Sequence, residues 1–313
     1  MTTEKIPLLI DTDPGVDDAL ALMMAFHDHR HEVVGLTIAA GNVGLSHTVA
    51  NALKLCEVCG VDVPVYAGAP TPLVYPAPDA ANVHGEDGFG DVNYAPATRQ
   101  AEAEHAAHAI LRLSHQYADK LLLVALGPLT NVALALKLDP TLPQRVARCV
   151  VMGGAVSAHG NITPAAEFNI HFDPEAADLV FSAFPRIDLV DWEATMAHGF
   201  LHSDAERWLA ADNAWAQFYA SISAHTRAWV QQVGRGERWH AADALAMAMA
   251  LQPEGAVECL ERPIVVETTG RHTRGATVVD WNRQTGAADN ARILMRYNQQ
   301  QFEQQLHATL TQH

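Results

Sequence analysis

The residues with the clearest chemical potential are four aspartates near the N-terminus. The segment reads Asp11-Thr-Asp13-Pro-Gly-Val-Asp17-Asp18 and directly follows an apolar run, Ile6 to Ile10. Helix N-termini favour anions, which accounts for Asp17 and Asp18 but leaves Asp11 and Asp13 unexplained. We expect Pro14-Gly15 to form a type II turn with glycine at positive φ, so that all four carboxylates meet at one strand end. Carboxylates within about 10 Å of one another repel unless a cation neutralises them, and the segment therefore predicts a site for a hard divalent metal ion.

Two other metal motifs match this segment poorly. An EF-hand loop needs an oxygen ligand at its fifth position and a glutamate at its twelfth, where this chain has Gly15 and Leu22. Phosphatases of the haloacid-dehalogenase kind carry Thr or Val at the position of Gly15, and no clear acidic pair follows a later strand. A phosphatase is therefore disfavoured.

The elements that would position these aspartates alternate between strand and helix. Apolar runs predict strands at Ile6–Ile10, Val33–Ala39, Val63–Ala67, Leu121–Leu126, Cys149–Met152 and Ile187–Val190. Helical patterns predict helices at Ala19–His27, Leu45–Cys59, Ala101–Tyr117, Leu129–Leu138 and Pro174–Phe184. This alternation predicts an α/β fold with an open, mostly parallel, Rossmann-like sheet flanked by helices.

The C-terminal part reads as mainly helical from about Ser203 to Leu251. A hairpin is predicted from Ile264–Thr268 and Ala276–Asp280, and a last helix from about Arg296 to Leu310. No linker or repeat interrupts the chain, so we expect residues 1–313 to form one domain.

Two long irregular stretches, Gly68–Ala97 and Gly153–Asp173, interrupt the alternation. Loops of this length in a compact domain are usually functional. Both begin where a strand ends, and ligands of open α/β sheets lie beyond the carboxyl ends of the strands. We therefore expect these loops to contribute to the site.

The overall charge excludes some partners. The 313 residues include 20 Lys and Arg against 36 Asp and Glu, a net charge of −16. Nucleic acids and anionic membranes attract basic surfaces, so neither is expected as a partner. The N-terminus has no apolar signal segment, and four cysteines in so long a chain are typical of a reducing compartment, which predicts a cytoplasmic protein.

The motifs, taken together, resemble those of the inosine–uridine-preferring nucleoside hydrolases, which split the N-glycosidic bond of ribonucleosides into ribose and free base. The first aspartate segment is similar to the N-terminal motif of that family. The resemblance continues in order through the whole chain, in Gly41-Asn42, His84-Gly85, Leu126-Gly-Pro-Leu-Thr130-Asn131, Met152-Gly-Gly, Gly160-Asn161 to Glu167-Phe168-Asn169, and Asp243-Ala-Leu-Ala.

The resemblance implies a calcium-dependent ribonucleoside N-ribohydrolase. Ca²⁺ would be held by Asp13, Asp18, the backbone carbonyl of Thr130 and Asp243, and oxygen-only ligands do suit this ion. The ion would activate a water molecule, and Asp13 would take its proton. Asp11 would lie behind these ligands.

The resemblance also assigns the ribose contacts. Asp17, Asn42, Asn161, Glu167 and Asn169 would bind the sugar hydroxyls, and a ribose does require several fixed acceptors and amides. Glu167 would help to stabilise the positive charge that develops on the sugar. Met152 and Phe168 could line the apolar face of the ribose, although plain packing explains each of them equally well.

The leaving base is where this sequence departs from the family. Well-known members carry His or Trp directly before the last calcium ligand, and this chain has Ala242 in Trp239-His240-Ala241-Ala242-Asp243. His240 is a candidate general acid if it precedes the helix; within a helix it would point about 200° away from Ala242. His84 is a second candidate.

Two further segments bear on this end of the site. A helix from Ala214 to Val233 offers Phe218, Tyr219, His225 and Trp229 for a base pocket, each of which could equally be a core residue. The segment Asp191-Trp192-Glu193 replaces the Asp-Val-Thr expected from better-known members, with no evident role.

Two function hypotheses follow. The first is hydrolysis of a small-molecule ribonucleoside, in salvage or catabolism, by a homodimer or homotetramer of the kind common in the family. The second is a non-catalytic nucleoside or ribose binder that retains the metal and sugar residues, and Ala242 is the feature that favours it.

Overall fold

The computed structural model describes residues 4–232 and 236–312 of the chain. Its main sheet has eight strands in the order β3-β2-β1-β4-β5-β6-β12-β9. The strands of this sheet are β1 (Ile6–Thr12), β2 (His31–Ile38), β3 (Val65–Ala67), β4 (Leu121–Ala125), β5 (Val146–Met152), β6 (Ile187–Val190), β9 (Ala256–Arg262) and β12 (Ala291–Tyr297). All neighbouring strands pair in parallel except β9, which runs antiparallel to β12 at the edge.

Two small antiparallel sheets lie outside the main sheet. One pairs β7 (Phe200–Leu201) with β8 (Arg238–Trp239), and the other pairs β10 (Ile264–Val266) with β11 (Thr277–Val279). The second confirms the predicted hairpin.

Helices cover both faces of the main sheet. They are α1 (Val16–His27), α2 (Leu45–Cys59), α3 (Ala81–His84), α4 (Ala106–Gln116), α5 (Thr130–Leu138), α6 (Phe168–Phe172), α7 (Pro174–Ala183), α8 (Trp192–Ala197), α9 (His202–Leu209), α10 (Ala214–Ile222), α11 (Ala224–Gln232), α12 (Ala242–Leu251) and α13 (Gln299–Thr311). Two apolar cores result, one on each side of the sheet, and alternate residues of β4 belong to opposite cores. The predicted α/β fold with an open, mostly parallel, Rossmann-like sheet is confirmed.

Helix α12 is apolar on all sides except for Asp243 in its first turn, and all ten of its residues are buried. Such a helix belongs inside a protein, where its last carbonyl groups need partners. Arg148 donates from its two terminal nitrogens to the carbonyls of Met249 (2.9 Å) and Ala250 (3.0 Å), and the Tyr297 hydroxyl donates to the carbonyl of Ala248 (3.0 Å). These contacts fix the end of α12 that lies opposite Asp243.

Two local predictions were wrong. Arg296 lies in strand β12, where it pairs with Glu258 of β9, and the last helix begins at Gln299. The helix predicted from Ala214 is interrupted at Ser223, and its predicted end at Val233 lies outside the described residues. The predicted mainly helical segment from about Ser203 to Leu251 is confirmed, since it holds α9, α10, α11 and α12.

None of the helices in the described parts of the chain combines the length and apolar character that a membrane crossing needs.

Candidate active site

A cavity of about 240 Å³ opens where β1 and β4 end. The strand order reverses between these two strands, and in open α/β sheets this switch point is where ligands bind. Polar residues of the cavity wall include Asp17, Asn42, His84, Asn161, Glu167, Asn169, His240 and Asp243, and apolar ones include Leu126, Met152, Phe168, Trp192, Trp229, Trp239 and Ala242. We call the polar residues that follow β1 and β2 (Asp13, Asp17, Asp18 and Asn42), together with Asp243, the floor of the site. We call Trp192, Trp229 and His240 its roof.

Asp13 is held in a narrow slot in the floor. Its Oδ2 accepts the backbone N–H of Asn42 at 2.7 Å. A Cβ atom at Gly41 would lie 2.1 Å from Oδ2, and one at Gly127 would lie 2.2 Å from Oδ1. Both glycines are therefore required by the close approach of this carboxylate. The slot fixes the Asp13 side chain in one position.

Asp18 is fixed from the start of α1. Its Oδ2 accepts the backbone N–H of Gly15 and the side-chain amide of Asn42, both at 2.9 Å, and its Oδ1 accepts the Thr12 hydroxyl. Gly15 is the N-cap of α1 with φ −105°, so the predicted type II turn is wrong. The helix starts directly after Gly15, and glycine is needed there for space: a Cβ would lie 2.7 Å from His84 Nδ1.

Three carboxylates of the floor converge on one point. Oxygen atoms of Asp17, Asp18 and Asp243 lie within 4.8 Å of one another. Burial, and then the charge of Asp17, raises the pKa of Asp18, and the same two causes raise the pKa of Asp243 well above its usual range. Burial raises the pKa of Asp17 to about 6, and its Oδ1 is buried with no hydrogen-bond partner. Three carboxylates this close repel one another when ionised, so the cluster could hold a metal ion.

Asp13 lies against this cluster, and Asp11 lies behind it. Burial, and then the charge of Asp18, raises the pKa of Asp13 well above its usual range. Asp11 Oδ1 accepts the Thr37 hydroxyl (2.6 Å) and the Asn131 amide (2.9 Å), and burial raises its pKa to about 7. Asp11 is thus bonded to residues of β2 and α5 beneath the site.

Thr130 begins α5 just after β4 and is buried. Its hydroxyl donates to Asp173 Oδ2 at 2.8 Å. The same oxygen accepts the backbone N–H of Leu73 at 2.9 Å, and Oδ1 accepts that of Ala176 at 3.1 Å. Asp173 is a residue that sequence reasoning missed. It lies at the end of the second long irregular stretch and connects Thr130 to Leu73 in the first.

Glu167 and Asn169 are buried at the start of α6. Glu167 caps this helix by accepting the N–H of Asn169 at 3.0 Å, and it also accepts the N–H of Gly154 at 2.9 Å. Burial raises the pKa of Glu167 to about 7. The Asn169 amide donates to the Leu126 carbonyl at 2.6 Å, which leaves its oxygen as an acceptor. Asn161 Oδ1 accepts the N–H of Phe168 at 2.9 Å.

Met152 and Phe168 both line the cavity, but each also packs against protein. Met152 is 3% exposed, and its sulfur lies 3.2 Å from the Asn169 amide. The Phe168 ring lies 5.9 Å from that of Phe172. Their contact with a sugar stays a prediction.

His84 is buried at the end of α3 and lines the cavity. Its Nδ1 accepts the backbone N–H of Val16 at 3.1 Å, which places the ring proton on Nε2 in the neutral form. Burial lowers the pKa of His84 to about 4. The ring is therefore a neutral hydrogen-bond donor at neutral pH.

His240 precedes α12 and lines the cavity together with Ala242. Its ring rests on Gly199, where a Cβ would lie 2.6 Å from His240 Nε2. The pairing of Phe200 with Trp239 holds the two segments side by side. The ring is thus placed by a contact that only glycine permits.

Of the four residues predicted for a base pocket, Trp229 lines the cavity. Phe218 packs against Phe89 at 6.0 Å, and Tyr219 stacks on Trp239 at 5.9 Å. His225 Nε2 lies 3.4 Å from the Asn82 carbonyl. Trp192 and Trp239 are cavity residues that sequence reasoning missed; the unusual segment at 191–193 was the signal for the first.

The sheet order and the acidic cavity define an α/β protein with a candidate divalent-cation site. The family model described as inosine-uridine preferring nucleoside hydrolase matches residues 8–304, so the chain belongs to this family. The predicted family is thereby confirmed, and with it the class of enzyme, a hydrolase acting on N-glycosyl bonds.

Individual relatives agree with this assignment. The chain is 37% identical over 304 residues to the non-specific ribonucleoside hydrolase RihC of Salmonella enteritidis, covering 96% of both chains. It is 41% identical over 224 residues to the probable uridine nucleosidase 1 of Oryza sativa subsp. japonica, covering 71% of this chain and 69% of the relative. A solved plant nucleoside hydrolase superposes with a TM-score of 0.94 at 28% identity, covering 99% of this chain and 100% of that one.

Proposed function

We propose that this protein hydrolyses ribonucleosides to ribose and free base with the aid of Ca²⁺. The observation that carries the proposal is the acidic cluster of Asp17, Asp18 and Asp243, of which Asp17 and Asp243 line one cavity with Asn42 and Glu167. The cluster supplies a place for a cation, and the neighbouring amides and carboxylates supply contacts for sugar hydroxyls.

The proposed ion is Ca²⁺, held by Asp13, Asp18, the carbonyl of Thr130 and Asp243. An oxygen-only donor set with several carboxylates suits Ca²⁺ better than Zn²⁺. The unpartnered Asp17 oxygen shows that the cluster has acceptor capacity to spare, for the ion or for a ribose hydroxyl. When bound, the ion would lower the pKa of water in the site.

Asp13 would accept the proton from that water. Its slot between Gly41 and Gly127 holds the carboxylate still, and a general base works only when it is within hydrogen-bond reach of its proton.

The ribose would lie between Asp17, Asn42, Asn161, Glu167 and Asn169. Cleavage of the bond to the base leaves positive charge on the sugar ring, as in other glycoside hydrolyses. The Glu167 carboxylate, fixed by three backbone N–H groups, is suited to stabilise that charge. Met152 and Phe168 would cover the apolar side of the sugar.

His240 would assist departure of the base, in place of the side chain that Ala242 lacks. Support comes from its position in the cavity wall and from its fixed contact with Gly199. His84 would act as a hydrogen-bond donor to the base through Nε2, because its Nδ1 is already engaged by Val16.

The test is release of reducing ribose from inosine, uridine, adenosine, guanosine and cytidine, with calcium present and with a chelator. We expect release from at least one nucleoside, and its loss in the chelator. Absence of release from all five would refute the proposal. Calorimetry showing nucleoside binding without release would then select the non-catalytic binder, which Ala242 favours.

The remaining expectations are part of the same proposal. One domain spanning residues 1–313 is supported by strand β12, which brings the C-terminal part into the main sheet. The four cysteines are free, which suits the cytoplasm. A homodimer or homotetramer is to be tested by light scattering.

A further inference from the structure

The loop between β5 and α6 (residues 153–167) carries Asn161 and Glu167 and is docked on the first turn of α8. Glu193 is the centre of this contact. Its Oε2 accepts the backbone N–H of Val156 at 3.0 Å, and its Oε1 accepts those of Ser157 at 2.8 Å and His159 at 3.4 Å. A single carboxylate thus satisfies three backbone donors of a loop that belongs to no helix or strand.

The neighbours of Glu193 strengthen the contact. The backbone N–H of Trp192 donates to the carbonyl of Gly154 at 2.9 Å. Asp191 is buried and accepts the N–H of Ala194 at 2.7 Å, which caps α8. The segment Asp191-Trp192-Glu193 therefore holds the loop from one side with both backbone and side chain.

The loop backbone needs such support. Ala158, between the residues bound by Glu193, has φ 59°, in the left-handed region that side-chain-bearing residues rarely adopt. A conformation of this kind persists only where surrounding contacts impose it. Glu193 binds the backbone on both sides of Ala158, through Ser157 and His159.

We call the contact of Glu193 with residues 156–159 the clamp. The loop continues from the clamp to the proposed ribose contacts Asn161 and Glu167. Asn161 lies two residues beyond His159, and its Oδ1 accepts the N–H of Phe168 at 2.9 Å. That bond joins the clamped part of the loop to the start of α6, where Glu167 caps the helix. The floor carboxylates Asp17, Asp18 and Asp243 belong to other elements and do not depend on the loop.

We propose that Glu193 is a positioning residue for ribose recognition, which acts by holding residues 156–159 so that Asn161 and Glu167 face the cavity. The inference rests on the proposed function and deepens it. It assigns a role to the departure at 191–193, whose tryptophan forms part of the cavity wall beside the clamp.

An alternative reading is that Glu193 only stabilises α8, because an acidic residue in the first turn interacts favourably with the helix dipole. The chain offers a matched control in Glu175, which occupies the same position in α7. Glu175 pairs with Arg274 at 2.6 Å, away from the cavity wall.

The experiment compares Glu193→Ala, Glu193→Gln and Glu175→Ala with the wild-type chain, using KM, kcat and calcium affinity. We expect Glu193→Ala to raise KM about tenfold, the effect of losing about 1.4 kcal/mol of binding, with calcium affinity unchanged. Glu193→Gln keeps one acceptor oxygen and should recover part of the loss. Glu175→Ala should leave KM unchanged.

An unchanged KM in Glu193→Ala, or an equal rise in Glu175→Ala, would overturn the inference. If Glu193→Ala does not fold, the Glu193→Gln variant carries the same comparison. If the wild-type chain releases no ribose, the proposed hydrolysis has failed, and the dissociation constant of the nucleoside in calorimetry replaces KM as the test of Glu193.

Discussion

Asp13 in the floor and His240 in the roof are both placed by glycines, but their surroundings differ. Asp13 lies between Gly41 and Gly127, at the ends of strands in the middle of the main sheet. His240 rests on Gly199, beside the two-residue strands β7 and β8. The floor is thus supported by the largest sheet of the molecule, whereas the roof is supported by short segments. The proposed metal site is therefore built on the main sheet, whereas the proposed contact to the base is built on short segments outside it.

The largest effect is expected from Asp13→Asn. The amide fits the same slot but cannot take a proton, so kcat should fall about 10³-fold. The variant should be no less stable than the wild-type chain in a chelator, because a buried like charge has been removed. Ribose release and thermal unfolding measure the two effects. Glu175→Gln, at a carboxylate paired with Arg274 away from the cavity wall, is the control and should keep wild-type turnover; wild-type turnover in Asp13→Asn would contradict the assigned base.

Calcium removal tests the floor as a whole. Chelation should abolish ribose release, and Ca²⁺ should restore it. Saturating ion should raise the midpoint of thermal unfolding by several degrees, since ligand at one hundred times Kd adds about 2.7 kcal/mol. Activity and melting temperature that do not respond to chelator would show that the carboxylate cluster works without a metal.

At the roof, His240→Ala should reduce kcat for inosine or uridine by about 10²-fold, the usual contribution of a general acid. A riboside with a p-nitrophenolate leaving group needs no proton and should be cleaved at the wild-type rate. Equal losses on both substrates would mean that His240 does not protonate the base.

A smaller effect is expected from Gly199→Ala, which displaces the His240 ring without removing it. The loss in kcat should be about tenfold on nucleosides and absent on the p-nitrophenyl riboside. In the background of His240→Ala the same change should have no further effect on kcat. An additive loss in the double variant would separate Gly199 from His240.

The smallest effect concerns the pH dependence of stability near the roof. Burial is the main cause that raises the pKa of Asp191 to about 8. The hydrogen bond from Ala194 lowers this pKa, and the charge of Glu193 raises it. The Asp191 carboxyl stays neutral in the folded protein at pH values where it is ionised in the unfolded chain. Its favourable contribution to the free energy of unfolding is therefore complete below about pH 4 and is lost as the pH rises towards 8. Relative to wild type, Asp191→Asn should therefore gain a few degrees of melting temperature between pH 5 and pH 8, with calcium saturating. A constant difference across this range would contradict the assigned shift.

The floor was more predictable from the sequence than the roof. The aspartates, Asn42 and Asp243 sit at the ends of elements whose apolar patterns are strong, so their approximate meeting point follows from the α/β order. The turn at Gly15 was predicted wrongly because close approach to His84, rather than positive φ, requires glycine there.

The roof depends on contacts between distant segments. Nothing in the local sequence shows that Gly199 will touch His240, that Glu193 will bind residues 156–159, or that the helical pattern from Ala214 breaks at Ser223. Strand β12 was missed for the same reason, since its partners β6 and β9 lie far from it in the chain. Neither the pairing of strands that are distant in the chain nor close packing against a glycine produces a periodic pattern in the sequence.

The buried helix α12 connects the candidate site to the Arg148 contacts at its opposite end. It is a rod of about 15 Å, with Asp243 at one end and the Arg148 contacts at the other. Movement of the rod along its axis would move the Asp243 carboxylate by the same distance. The Arg148 guanidinium therefore limits the movement of α12 along its axis, and loss of this side chain is expected to weaken binding of the proposed ion at Asp243.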